Sequence, residues 1–104
     1  MISFDINEKE CVVTVKGHAG YGEAGKDIVC AGASMLFYAF AEAEHKAGEL
    51  MALKSEPGDC MVMWRKSRAA RRRLEVLAAG GRLLERRYPD YVRVTIGEKT
   101  KDEC

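Results

Sequence analysis

The chain has 104 residues, of which 47% are hydrophobic and 32% are charged, and its formal net charge is +1. These proportions exclude a disordered chain, and no apolar run approaches the roughly 20 residues that a membrane span requires. The four cysteines lack CxxC spacing and the N-terminus carries no basic leader. We therefore expect one domain over residues 1–104, with free thiols, in the cytoplasm and without membrane association.

The first half of the chain predicts a hairpin followed by a helix. Residues 2–6 and 11–15 alternate apolar and polar side chains, which indicates two paired strands. An apolar run from Ile28 to Ala43, with Asp27 as N-cap and Gly48 as a stop, predicts the helix. Because this run is apolar on several faces, we expect a largely buried helix. Only its C-terminal end should meet water, at Glu42, Glu44, His45 and Lys46.

A second hairpin is predicted by residues 50–55 and 60–64, which flank a Pro57-Gly58-Asp59 turn. Residues 61–64 carry apolar side chains for both faces, which is typical of a central strand.

A second helix and a last strand complete the chain. The helix begins after Ser67, ends before Pro89 and carries a close-packing Gly80-Gly81 pair, and residues 91–96 alternate as a strand before a polar tail. The order ββαββαβ predicts an α+β fold, with two helices packed on a mainly antiparallel or mixed five-stranded sheet.

The loop between the first hairpin and the first helix carries the candidate chemistry. His18 leaves the strand, Cys30 falls in the first helical turn, and the glycines between them allow the chain to fold back. A histidine beside a thiol indicates an activated nucleophile. The alternative is that Cys30 is a small core residue, and Cys11, Cys60 and Cys104 are expected to be core or idle thiols.

Two phosphate-binding interpretations of the same loop are weaker. Gly20 to Gly25 is a formal GxGxxG, but no second parallel strand with an acidic residue follows it at dinucleotide-fold spacing. Gly20 to Lys26 is one residue short of a P-loop, and Asp27 stands where a hydroxyl should meet magnesium. A carboxylate at that position would repel a phosphate.

Residues 17–34 resemble the signature of the ribosomal-processing cysteine proteases, a family of small bacterial proteins. The resemblance is carried by Gly17-His18-Ala19, by Tyr21-Gly22-Glu23, and by the run from Gly25 to Ser34. It implies a dimeric α+β fold and a His18–Cys30 catalytic dyad. It also implies a mobile lid, residues 17–25, whose glycines are Gly17, Gly20, Gly22 and Gly25.

The same resemblance implies the substrate. Family members remove a short N-terminal extension from the twenty-seventh protein of the large ribosomal subunit, cutting after an aromatic residue. Many members have an aromatic residue where Ala24 stands in this chain. That difference leaves the contacts between lid and substrate open.

The expected mechanism follows from these residue types. Cys30 would attack the scissile carbonyl, and His18 would take its proton and return it to the leaving amine. Backbone N–H groups at the lid and helix start would hold the oxyanion. Asp27 would order the helix start and orient His18, and Ser34 would support Cys30 from one turn below. We expect no metal or cofactor, because His18 has no partner at zinc-ligand spacing.

A rival function uses the basic part of the chain. Residues 65–87 hold nine basic and two acidic residues, whereas the remainder is acidic. A non-catalytic ribosome- or RNA-binding module could use these arginines, but the chain lacks the aromatic platform of single-strand binders. A solvated helix face is favoured over nucleic-acid binding for the candidate phosphate contacts Arg68, Arg71, Arg72, Arg82 and Arg86.

Overall fold

The computed structural model describes residues 1–23 and 25–97, and within them seven elements follow the predicted order. The expected polar tail with Cys104, and Ala24 in the lid, lie outside these residues. The strands are β1 (Ile2–Asn7), β2 (Val12–Lys16), β3 (Leu50–Glu56), β4 (Asp59–Trp64) and β5 (Val92–Gly97), and the helices are α1 (Ile28–Lys46) and α2 (Arg68–Arg87).

The strands form one mixed sheet in the order β3-β4-β2-β1-β5. The pairs β1–β2, β2–β4 and β3–β4 are antiparallel, and β1–β5 is parallel. The predicted α+β fold is therefore confirmed, and β4 lies inside the sheet as expected. The side chains of β4 are buried on only one face of the sheet, however, because Val62 and Trp64 are buried whereas Met63 is exposed.

The core lies between one face of the sheet and the two helices. Phe4 of β1 pairs with Val15 on β2 and with Val94 on β5, and all three side chains are buried. Alternate residues of these strands point away from the helices and are partly or fully exposed. A half-buried sheet of this kind accounts for the alternating sequence pattern.

Helix α1 is less buried than its sequence predicts. Val29, Ala33 and Phe37 are buried, but Met35 is 68% exposed and Tyr38 is 43% exposed. The expectation of a largely buried helix is wrong, because α1 packs on the sheet and on α2 only, and the described residues provide no further layer over its outer side.

The expectation that Glu44 meets water is also wrong, because its side chain is fully buried. Arg73 of α2 donates two hydrogen bonds to the Glu44 carboxylate and a third, of 2.6 Å, to Glu49. This pairing neutralises the charge that burial would otherwise disfavour. One arginine of the basic helix therefore serves to hold α2 against the C-terminal end of α1.

The expected caps and the expected close helix packing are confirmed. Asp27 caps α1, and Ser67 caps α2 by accepting a hydrogen bond from the Ala70 N–H. A Cβ placed at Gly81 would lie 3.3 Å from Val94, and one at Gly80 would collide with Leu36 of α1. Neither helix has the length and apolar composition needed to cross a membrane.

Candidate active site

A cleft of about 430 Å³ opens where the end of β2, the first turns of α1 and the β3–β4 turn meet. His18, Cys30 and Ser34 all line it, together with Gly17 from the lid. The fold therefore brings the predicted nucleophile, base and supporting hydroxyl to one cavity. Asp27 lies at the start of α1 and is not among the residues that line the cleft.

The Cys30 thiol is half-buried and accepts a hydrogen bond. Its Sγ lies 3.3 Å from the backbone N of Ala19, whose N–H donates to it. The imidazole of His18, an exposed residue, makes no hydrogen bond within the described part of the chain, and none joins it to Cys30. The two side chains thus share the cleft without a hydrogen bond between them.

Asp27 links the lid to the helix start through both carboxylate oxygens. Oδ1 accepts from the N–H groups of Val29 and Cys30, each at 3.0 Å. Oδ2 accepts from Tyr21 at 2.9 Å and from Gly22 at 3.1 Å. These bonds, led by that from Cys30, lower the pKa of the Asp27 carboxyl.

This arrangement changes the expected roles at the helix start. The four hydrogen bonds to Asp27 come from backbone N–H groups, and the His18 imidazole is not among its partners. Oxyanion donors were expected among the backbone N–H groups of the lid and the helix start, and at the helix start those of Val29 and Cys30 are engaged by Asp27. The Ala19 N–H donates to the sulfur of Cys30, the predicted nucleophile.

The lid is anchored at Tyr21. Its ring packs edge-on against Tyr88, with centroids 5.4 Å apart, and against Tyr91, at 5.2 Å. Its N–H is held by Asp27. Positive φ angles, which favour glycine, occur on both sides of this anchor, at 91° in Gly17, 70° in Gly20 and 83° in Gly25.

Several residues of the cleft were not identified from the sequence. Tyr38 follows Cys30 and Ser34 at intervals of four, so helical periodicity alone places it on the same face. Its hydroxyl hydrogen-bonds that of Ser55, on β3. Gly58 and Cys60 also line the cleft, but they come from a distant hairpin and no local pattern indicates this.

A larger cavity of about 680 Å³, here called the basic cavity, lies beside the start of α2. Its lining includes Lys66 and Arg68, with Arg71, which forms an ion pair of 2.9 Å with Glu8. Elsewhere on α2, Arg82 is likewise paired with a carboxylate, that of Glu85 at 3.0 Å. The basic face is therefore partly neutralised within the chain, which weakens the case for phosphate binding.

The comparisons with known proteins point in the same direction as the cleft. A family model described as cysteine protease Prp matches residues 1–93. One solved structure is that of Prp from S. aureus, described as an essential ribosomal processing protease, in complex with a covalently linked product peptide. It gives a TM-score of 0.82 at 25% identity, and the match covers 93% of this chain and 100% of that chain.

Two further solved structures share the fold. S. aureus Prp with a substrate peptide gives a TM-score of 0.73 at 22% identity, with coverage of 92% and 97% of the two chains. The Streptococcus mutans protein SMU.848 gives 0.68 at 26% identity, with coverage of 91% and 90%. A search of curated proteins found no match. The likeness thus extends over nearly the whole of each chain, including both sides of the cleft.

Proposed function

The chain belongs to the cysteine protease Prp family, and from this membership we propose that it cleaves a ribosomal protein precursor in the cytoplasm. The S. aureus relative is described as a ribosomal processing protease. The proposed substrate is the precursor of the twenty-seventh large-subunit protein, and the proposed product is that protein without its N-terminal extension. The observation that carries the proposal is that Cys30 and His18 line one cleft, with an N–H group directed at the sulfur.

In the proposed reaction, Cys30 Sγ attacks the scissile carbonyl carbon while His18 accepts the thiol proton. The tetrahedral intermediate then expels the amine, which takes that proton from His18 and leaves as the new N-terminus. The remaining thioester is hydrolysed by water, with His18 as the base. Release of the acid restores the thiol.

The oxyanion of the intermediate is the former carbonyl oxygen. It is bonded to the attacked carbon, which is also bonded to the sulfur, so it lies close to the sulfur. We assign its stabilisation to the Ala19 N–H, which already lies 3.3 Å from Sγ. The amides of Val29 and Cys30 are occupied by Asp27. Asp27 therefore acts by holding the lid and helix start together, and Ser34 supports the site from the cleft wall.

The test is cleavage of the purified precursor, followed by mass spectrometry of the products. Cys30→Ala and His18→Ala should leave the precursor intact, because each removes one partner of the dyad. Cys60→Ala is the matched control, since it makes the same chemical change in the same cleft. Cleavage at the wild-type rate by Cys30→Ala would refute the proposal.

We further propose that the protein is a homodimer. Support comes from apolar side chains on the outer side of the helices, where Met35 is 68% and Val76 70% exposed. An apolar groove of about 210 Å³ is lined by residues of both helices, among them Val76. Light scattering should give twice the chain mass for the wild type and the monomer mass for Val76→Glu, and a monomeric wild type would refute the dimer.

A further inference from the structure

Gly58, in the turn between β3 and β4, lies against the imidazole of His18. Its φ angle is +71°. A Cβ added there in ideal geometry would lie 2.7 Å from Nε2, 3.2 Å from Cε1 and 3.3 Å from Cδ2 of His18. Distances below 3.0 Å are essentially never seen for real Cβ atoms. The imidazole occupies this position only because residue 58 has no side chain.

The three distances also show how the ring is held. An atom in the ring plane, in line with the Nε2 lone pair, would be clearly farther from Cε1 and Cδ2 than these values allow. The added carbon would therefore stand above the face of the ring, near its Nε2 end. Gly58 supports the face of the imidazole and leaves the in-plane direction of Nε2 open for proton transfer.

His18 needs such support, because no hydrogen bond from the described residues fixes its ring. In cysteine and serine nucleophile sites a third group usually orients the base through a hydrogen bond. Within residues 1–23 and 25–97 no such bond reaches the imidazole, and the Asp27 carboxylate is filled by four backbone donors. The orientation of the ring therefore depends on packing.

The turn that carries Gly58 is fixed to both sides of the cleft. The N–H of Gly17, the residue before His18, donates to the Gly58 carbonyl at 2.9 Å. Three residues earlier, Ser55 is hydrogen-bonded to Tyr38 of α1, the helix that carries Cys30. The turn is thus tied to the segment of the base and to the helix of the nucleophile.

From these contacts we propose that Gly58 is a positioning residue for His18. Its bare Cα forms the wall that sets the distance and angle between the imidazole and Cys30. The inference rests on the proposed function, in which His18 is the base. A Cβ at position 58 would displace the ring, because its three nearest heavy atoms all belong to the imidazole.

Gly58→Ala tests this, with Gly48→Ala as the matched control. Gly48 has nearly the same φ, +75°, but a Cβ there would meet nothing within 4 Å. The two variants therefore share the backbone strain and differ in the contact with His18. For Gly58→Ala we expect kcat on the precursor to fall about 10- to 100-fold with KM within about twofold, since small misplacements of a catalytic group have effects of this size. Gly48→Ala should keep the wild-type kcat.

A second readout needs no substrate. Alkylation of Cys30 by iodoacetamide at about pH 6 should slow in Gly58→Ala and stay unchanged in Gly48→Ala. In the His18→Ala background, where the ring is absent, Gly58→Ala should slow it no further and should lower the melting temperature only as much as Gly48→Ala does. If Gly58→Ala fails to fold, Gly58→Asn adds the same Cβ with a residue that tolerates positive φ.

The outcomes separate this inference from the proposed function. A wild-type kcat for Gly58→Ala, alongside an inactive His18→Ala, would overturn the positioning role alone. Equal losses of kcat in Gly58→Ala and Gly48→Ala would also overturn it, because backbone strain would then be the cause. Cleavage at the wild-type rate by Cys30→Ala would overturn the proposed function, and the positioning role with it.

Discussion

The cleft contains Cys30, the candidate nucleophile, and the basic cavity contains Cys11, and these two thiols are held in opposite ways. In the cleft, Cys30 Sγ accepts a hydrogen bond from the Ala19 N–H. In the basic cavity, the buried Cys11 donates its S–H to the Glu8 carbonyl, 3.6 Å away. An N–H donor stabilises a thiolate, whereas a carbonyl acceptor stabilises the neutral thiol.

The comparison shows why the larger cavity is not the better candidate site. Burial raises the pKa of the Cys11 thiol, and the opposing effect of Lys66 is the smaller of the two. No histidine lies among the described residues that line the basic cavity. Volume and positive charge are thus present there without a candidate nucleophile and base, whereas Cys30 and His18 line the smaller cleft.

The largest expected effect is a difference in alkylation rate between Cys30 and the other cysteines. The comparison would not hold if this difference were absent. At about pH 6 an unperturbed thiol is almost wholly protonated. We expect iodoacetamide to modify Cys30 at least about tenfold faster than Cys11 or Cys60, because Cys11 is buried and the Cys60 Sγ donates to the Glu56 carbonyl at 3.5 Å. Peptide mapping by mass spectrometry measures each rate.

His18→Ala is the control for that experiment. It should remove most of the advantage of Cys30 while leaving the rates of Cys11 and Cys60 unchanged, since neither thiol depends on the imidazole. Cys104 provides a reference for a cysteine near the C-terminus. A Cys30 no faster than Cys104 in the native protein would return Cys30 to the role of a core residue.

The second prediction concerns α2, whose Arg73 forms an ion pair with the buried Glu44 of α1. Glu44→Gln should reduce the free energy of unfolding by about 3 kcal/mol, the lower end of the range for breaking a buried ion pair, because Arg73 keeps its bond to Glu49. Urea unfolding followed by the fluorescence of the single, buried Trp64 measures this.

Glu42→Gln is the matched control, since Glu42 is an exposed residue of the same helix. It should change stability by less than about 0.5 kcal/mol, as most surface substitutions do. Neither variant should change the alkylation rate of Cys30. A slower rate in Glu44→Gln would mean that the ion pair also shapes the cleft.

Local patterns account for much of this fold. The alternation of Ile2, Phe4 and Ile6 predicts a half-buried strand, and Asp27 and Ser67 have the side chains that favour N-caps. The cleft residues His18, Cys30 and Ser34 were found because one short loop and one helical turn connect them. Such features depend on neighbours within a few residues, which a sequence displays directly.

Contacts between distant segments could not be predicted in this way. Glu44 is buried because Arg73, 29 residues later, crosses to meet it. Gly58 was identified as a turn residue, but its contact with His18, 40 residues earlier, depends on the pairing of β2 with β4. Strand order and helix crossing decide both contacts, and neither leaves a periodic signal.

The third prediction sharpens the view of the cleft by separating the two tasks of Asp27. Asn is as good an N-cap as Asp, so Asp27→Asn can still accept from Val29 and Cys30 through its one oxygen. Its amide NH₂ cannot accept from Tyr21 and Gly22. We expect the N–H groups of these two lid residues to exchange about fivefold faster, a factor typical of losing one modest interaction. Hydrogen exchange followed by NMR measures this, and unchanged lid exchange would show that the ring contacts of Tyr21 hold the lid by themselves.

The smallest expected effect is a titration of the lid with acid. Backbone hydrogen bonds lower the pKa of Asp27 in the folded protein, so its contribution to lid order is complete above the unfolded value of about 3.9 and is lost as the pH falls through the lower, folded value. The amide proton shifts of Tyr21 and Gly22 should therefore move together with one midpoint below about pH 3.9, and the same shifts in Asp27→Asn should show no such step. Because the N–H groups of Val29 and Cys30 donate to the same carboxylate, their shifts should share this midpoint. A midpoint at or above about pH 4 would mean that the four bonds do not persist in solution, and the lid would then be joined to the nucleophile's helix by something other than Asp27.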